Sequence, residues 1–70
     1  MSKYDLVGVD GNAFAIIAYV NKALQREGLS NLKSEFQTKA MSCDYDNLIV
    51  VAIEYLDKAN EAAESKENEE

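Results

Sequence analysis

The sequence predicts an all-α fold: a small three-helix domain with a short extended N-terminal arm and an acidic, partly disordered C-terminal tail. Three observations predict it. Apolar residues recur at spacings of three and four in three segments, cap-forming residues stand at the segment boundaries, and acidic residues gather at the end of the chain. Seventy residues form one domain, which we place at residues 1–59, with the tail at residues 60–70.

The arm covers residues 3–9 and ends in turn and cap residues, of which Asp10 or Asn12 is expected to cap the first helix. That helix is predicted over about residues 12–27, and Gly28 then stands where a C-terminal glycine cap belongs. Its predicted apolar stripe consists of Ala13, Ile17, Val20 and Leu24.

The second helix is predicted over about residues 31–41, with Ser30 as its N-cap. The third begins near residue 45, after the capping residue Asp44, and runs at least to Ala59. The expected stripes are Leu32, Phe36 and Ala40 on the second helix, and Tyr45, Leu48 or Ile49, Ala52, Tyr55 and Leu56 on the third. Among the aromatic residues, Phe14, Phe36, Tyr45 and Tyr55 are expected on or near the core, and Tyr4 and Tyr19 are expected to be freer.

Residues 13–20 and 48–53 are apolar on more than one face of their helices. A three-helix domain needs one buried stripe per helix, so the remaining valine and isoleucine side chains would form an exposed patch. We therefore expect a homodimer that buries this surface between the first and third helices of two copies. The alternative is that the arm and the second helix cover it within one chain. The expected interface residues are Tyr19, Val50, Val51 and Ile53.

Charge and composition exclude several classes of function. The net charge is −6, of which residues 57–70 carry −4, so a surface for nucleic acid is not expected, whereas a basic protein would be attracted. No segment has the length or apolarity of a membrane span or a signal peptide, and a cytoplasmic location is expected. One cysteine and no histidine exclude an internal disulfide and the usual zinc sites.

No enzymatic activity, catalytic residue, metal or cofactor is predicted, because nucleophilic catalysis with a histidine base is impossible in this chain. The candidate ligand-binding residues are Asp10, Asn12, Asp44 and Asp46, which stand at the predicted starts of the first and third helices. Asp44 and Asp46 resemble the opening of a calcium-binding EF-hand loop, but the later ligand positions of that loop do not match. Helix capping explains both acids.

Residues 6–16 and 40–48 resemble a family of small uncharacterised proteins from bacteria and their phages. The pattern of that family is Leu-Val-Gly-x-Asp-Gly-Asn-Ala-Phe, followed later by Gly-Asp-Tyr-Asp-His-Leu. This chain has Cys43 in place of the glycine and Asn47 in place of the histidine, so any site that used the histidine is lost. The resemblance implies a phage or bacterial setting and no particular activity.

Two functions remain open from the sequence. The first is a non-enzymatic interaction protein that acts through apolar helices and an acidic surface, which in a phage would be a binder or inhibitor of a host protein. The alternative is a small-ligand or cation-binding module that uses the acidic helix starts. We favour the first, because the apolar surplus is visible in the sequence and a pocket is not.

Overall fold

The computed structural model describes residues 3–67 and confirms the predicted all-α fold of three helices. Helix α1 spans Ala13–Arg26, a short 3-10 helix spans Ser30–Leu32, α2 spans Lys33–Met41 and α3 spans Tyr45–Glu67. The arm before α1 is irregular, and residues 3–67 contain no strand.

Helices α1 and α3 run in the same direction, and α2 runs against both. At one end of the bundle the Tyr45 hydroxyl donates to the carbonyl of Gly11, just before α1. At the other end the Lys66 ammonium donates to the Glu27 carboxylate over 3.1 Å. The arm runs back along α1 and α3, because Tyr4 lies beside Glu27 and Gly11 lies beside Tyr45. We call these two ends the Tyr45 end and the Glu27 end.

The core is a single cluster between the three helices and the start of the arm. Its largest fully buried side chains are Tyr55, Phe36, Leu24 and Val20. The rings of Phe36 and Tyr55 pack with their centroids 5.3 Å apart, which joins α2 to α3. Burying a side chain of this kind stabilises the fold by about 1.5 to 3 kcal/mol. The remaining buried apolar residues are Tyr4, Ile16, Ala23, Ala40, Leu48, Ala52, Leu56, Ala59 and Ala63.

Both ends of α1 are capped as the sequence indicates. The side chain of Asn12 accepts a hydrogen bond from the Phe14 amide over 2.8 Å, which identifies Asn12 as the N-cap. At the C-terminus Gly28 has φ = 76°, and the Leu29 amide donates to the Leu24 carbonyl over 2.7 Å. This is a Schellman motif, and it confirms the prediction of a glycine cap at Gly28.

The start of the second helix differs from the prediction. Ser30 begins a 3-10 helix rather than capping an α-helix, and neither the 3-10 helix nor α2 has a side-chain cap. The prediction of Ser30 as N-cap is therefore wrong. The turn after Gly28 leads directly into helical backbone. No residue there has the extended backbone conformation from which a side chain can cap a helix. The predicted stripe is present, with Phe36 and Ala40 buried and Leu32 packed against the core.

The third helix continues well past Ala59, and its additional turns are packed. Asn60 and Ala63 are buried, and Lys66 reaches Glu27. Alanine, glutamate and lysine favour helix, and residues 60, 63 and 66 share the helix face that meets the arm and α1. Residues 60–67 thus continue α3 where the sequence predicted an acidic tail. The rest of that predicted tail, residues 68–70, lies outside the described residues.

Three aromatic residues occupy places that the apolar pattern did not predict. Phe14 is 75% exposed and Tyr45 is 48% exposed, so their placement in the core is wrong, whereas Tyr4 is buried. The buried face of α1 also differs from the predicted stripe. Ile16 is buried, whereas Ile17, which the stripe included, is only half-buried. In a helix that is apolar on several faces, the sequence pattern alone does not determine which face meets the core.

Candidate functional site

Large apolar side chains are exposed at one end of the bundle. Six of them among the described residues expose between 48% and 88% of their surface. They lie on the arm, the first turn of α1, the last turn of α2 and the first half of α3, all of which belong to the half of the molecule at the Tyr45 end. We call this set the apolar end. It comprises Val7, Phe14, Met41, Tyr45, Val50 and Ile53.

An open groove of about 490 Å³ lies beside the apolar end, between the arm and α3. We call it the arm groove. Its apolar lining comes from Leu6 and Val7 on one side and from Ile53 and Leu56 on the other. The arm keeps its shape here through a tight turn, in which the Val9 amide donates to the Leu6 carbonyl over 3.1 Å. The groove is completed by Tyr4, Asp5, Asp57 and Asn60.

Carboxylates accompany the apolar end. Residues 5–14 and 39–57, which contain its six members, hold six acids and one lysine, a net charge of −5. Two of these acids, Asp5 and Asp57, line the arm groove itself, one from the arm and one from α3. The surface is therefore both apolar and strongly acidic.

The structure separates the four predicted interface residues into two pairs. Val50 and Ile53 are exposed, and they lie on the same face of α3 at a spacing of three. Val51 and Tyr19 are half-buried and pack against the core. The Tyr19 ring packs edge-on against Tyr4 with centroids 6.5 Å apart, so the arm covers Tyr19 within the chain.

Four members of the apolar end were missed by reasoning from the sequence: Val7, Phe14, Met41 and Tyr45. Val7 stands beside a turn glycine, and that position could have suggested its exposure. Phe14 and Tyr45 were expected on or near the core and Met41 was assigned to no face, and only the assembled bundle shows that their helix turns lie in the same half of the molecule.

The predicted ligand-binding residues serve mainly as helix caps. Asp10 accepts a hydrogen bond from the Asn12 amide over 3.0 Å, and Asn12 in turn caps α1. Asp44 accepts from the Asn47 amide over 2.9 Å, which satisfies a free donor in the first turn of α3. Asp46 lies in the same turn, where a negative charge favours the helix dipole.

The two helix starts lie side by side, because the Tyr45 hydroxyl contacts the carbonyl of Gly11. A methyl group at Gly11 would come within 3.4 Å of that hydroxyl, so a small residue suits this contact. The starts do not, however, form a metal site. Within residues 3–67 no group of three or more cysteine, histidine or carboxylate side chains is arranged to hold a metal ion. Cys43 is half-buried, and its thiol lies 3.5 Å from the Ala40 carbonyl.

The Glu27 end holds a buried carboxylate. The Glu27 side chain is 3% exposed, and it accepts a hydrogen bond from the Tyr4 hydroxyl over 2.5 Å. The ammonium groups of Lys66 and Lys3 lie 3.1 and 3.4 Å from its oxygens. We call this group of four residues the Glu27 clasp. Beside it, Asn60 accepts from the Tyr4 amide over 2.7 Å and donates to the Tyr4 carbonyl over 2.9 Å, which fixes the arm to α3.

Hydrogen bonding in the clasp controls how its groups titrate. The hydrogen bond from Tyr4, together with Lys66 and Lys3, lowers the pKa of Glu27 to about 2 against the opposing effect of burial. Burial and the hydrogen bond to Glu27 raise the pKa of Tyr4 to about 12. A buried carboxylate is often a candidate base, but one that stays ionised with all its donors in place is a poor proton acceptor. We therefore assign Glu27 a structural role.

A second concave surface, of about 430 Å³, lies between α1 and the start of α2. Three of its six lining residues are cationic, and no carboxylate lines it. Because these residues stand in the second half of α1 and the first turn of α2, the surface belongs to the Glu27 end. These three cations and the acidic apolar end therefore lie at opposite ends of the molecule. The cations are Lys22, Arg26 and Lys33.

None of the helices within residues 3–67 combines the length and the apolarity that a bilayer span requires. Comparisons with protein-family models, with curated proteins and with solved structures find no match. A functional conclusion therefore depends on the chain's own residues, above all on the apolar end and its carboxylates.

Proposed function

We propose that this chain is a non-enzymatic interaction protein and that the apolar end is the surface that binds another protein. The observation that carries the proposal is the concentration of six exposed large apolar side chains in one half of the molecule, two of which, Val7 and Ile53, face each other across the arm groove. Single exposed apolar residues are ordinary, whereas an exposed apolar groove on a small domain indicates an interaction surface. Phenylalanine, tyrosine and methionine, all present here, are enriched in protein interfaces.

The size of the apolar end suits a protein partner. Its six residues together expose several hundred Å², the scale of the roughly 800 Å² per partner that a standard interface buries. The arm groove adds a concave element into which a partner side chain can insert, and hot-spot residues of interfaces commonly occupy such pockets.

The apolar end has two candidate partners, a second copy of this chain and a different protein. A homodimer through this surface would bring together two segments that each carry a net charge of −5, and like charges facing each other oppose association. We therefore propose a different protein as the occupant. In the phage or bacterial setting that the sequence resemblance implies, that partner would be a host protein.

The alternative function, a small-ligand or cation-binding module, has weaker support. The oxygens of Asp10, Asn12 and Asp44 already accept hydrogen bonds from helix amides, and a bound cation would compete with those caps. This alternative predicts that calcium or magnesium raises the melting temperature and that Asp10→Ala abolishes the rise. The interaction proposal predicts no such rise.

Solution measurements on the purified chain test the proposal. We expect a constant monomer mass by light scattering across a wide concentration range, and binding of the neutral apolar dye Nile red that falls when Val50 and Ile53 are replaced by serine. The control replaces Glu61 and Glu64, in the second half of α3, by glutamine and should leave dye binding unchanged. A dimer that the serine variant dissociates would make the apolar end a self-association surface and overturn the choice of partner. A monomer that binds no dye would overturn the proposal itself.

A further inference from the structure

We infer that the partner segment of the apolar end is a basic amphipathic helix, with an apolar side chain in the arm groove and cations against Asp5 and Asp57. This inference deepens the proposed function and rests on it. It depends on three features of the described residues: the shape of the groove, the ion pairing of its carboxylates and the distribution of the cations.

The shape of the apolar surface fits a helix. On α3, Val50, Ile53 and Asp57 lie on one face at spacings of three and four, and they span about 10 Å along the helix axis. The arm forms the opposite wall with Leu6 and Val7, so the apolar surface is an elongated trough rather than a closed pocket. An amphipathic helix that lays its apolar face into such a trough is a common mode of recognition.

The carboxylates around the trough lack cations of their own. Among the described residues, the ion pairs within 4 Å all involve Glu27, which lies next to Tyr4 at one end of the arm groove. Asp5 and Asp57, the two carboxylates that line the arm groove, therefore keep their charge available to a partner. Asp5 uses one oxygen to accept from the Val7 amide over 3.0 Å, which holds its carboxylate at the edge of the trough.

None of the cations within residues 3–67 forms an ion pair with Asp5 or Asp57. Lys22, Arg26 and Lys33 line the concave surface at the Glu27 end. Lys39 and Lys58 lie over the ring of Tyr55, at 5.3 and 5.9 Å from its centroid. The field at the trough is thus negative, and it favours a cationic partner over a second copy, an anionic membrane or a nucleic acid.

The test uses three synthetic 18-residue peptides and fluorescence anisotropy with the full chain at physiological salt. The first peptide is an amphipathic helix of leucine and lysine, the second replaces its lysines with glutamates, and the third is a scrambled leucine–lysine sequence without an apolar face. We expect the first peptide to bind at least about tenfold more tightly than either of the others, and its affinity to fall as salt is raised.

Matched variants separate the contributions of charge and apolar contact. Asp5→Asn with Asp57→Asn removes two charges at the trough, and Glu61→Gln with Glu64→Gln removes the same number in the second half of α3. We expect the first pair to weaken binding of the leucine–lysine helix about tenfold and the second pair by less than about twofold. Ile53→Ser should also weaken it about tenfold, and circular dichroism of each variant verifies that the fold is retained.

The outcomes distinguish this inference from the proposed function. Equal binding of the leucine–glutamate helix would overturn the inference and leave the apolar end as a docking surface. Equal loss in both pairs of charge variants, or equal binding of the scrambled peptide, would show attraction to net charge alone and would also overturn it. Absence of binding by all three peptides, with Nile red binding intact, would overturn the inference without touching the proposed function.

Discussion

Replacing Glu27 with glutamine tests whether the clasp stabilises the fold through its charge. The pKa of Glu27 is lowered from 4.5 to about 2. At 1.36 kcal/mol per pKa unit, this difference corresponds to about 3 kcal/mol of stability at neutral pH. Both lysines of the clasp are more than half exposed, so solvent screens part of their share, and we expect a loss of about 2 kcal/mol.

The sign of the pH dependence follows from the direction of the shift. The folded pKa of Glu27 lies below its unfolded value, so the carboxylate stabilises the fold above about pH 4.5. That contribution is lost progressively as the pH falls from 4.5 towards 2. Wild type and Glu27→Gln should therefore differ most at pH 7 and converge near pH 2.

Urea unfolding followed by circular dichroism at 222 nm, at pH 7, 4.5 and 3, measures this difference. The matched control is Glu61→Gln, which removes an exposed carboxylate from α3 and should change stability by less than about 0.5 kcal/mol. A difference between wild type and Glu27→Gln that stays constant from pH 7 to pH 3 would refute the assignment to charge. Equal stability at pH 7 would refute the stabilising role of the clasp altogether.

Three further predictions concern the clasp and the caps. Tyr4→Phe should cost about 1 kcal/mol in urea unfolding and remove the contribution that the Tyr4 hydroxyl, with its pKa of about 12, makes to absorbance at 295 nm. Gly28→Ala should lower the free energy of unfolding by about 1 kcal/mol, because Gly28 has a positive φ. Gly11 has no positive φ, so Gly11→Ala should lower it by less, and thermal melts of the two variants measure the difference. Asn12→Ala and Asp44→Ala should each cost about 1 kcal/mol by loss of a cap, with unchanged binding of the neutral dye Nile red at the apolar end.

The parts of the fold that local physical chemistry determines were predictable. Three helices follow from the apolar spacing, and the cap at Gly28 follows from the conformational freedom of glycine. The Glu27 clasp was not predictable, because it joins polar residues that are far apart in the chain and whose types are usually exposed. The same network explains why α3 remains packed beyond Ala59.

The candidate surface was predictable only in part, for a related reason. The surplus of apolar residues on α3 pointed correctly to exposed Val50 and Ile53. It could not show that the arm would cover Tyr19, since that depends on where Tyr4 is anchored by Glu27 and Asn60. Nor could it bring Asp5 and Asp57 to one groove, because that depends on the anchoring of the arm to α3 through Tyr4 and Asn60.

The Glu27 clasp also has a practical consequence for handling the protein. Lys3 and Lys66 contact the two oxygens of one carboxylate, so residues 63 positions apart in the chain are held within a few ångströms of each other. A purification tag or fluorophore attached near either residue would project from the Glu27 end and leave the apolar end clear. A short glycine linker could also join these segments, and a circular permutant opened between Ser42 and Asp44 would keep all three helices whole.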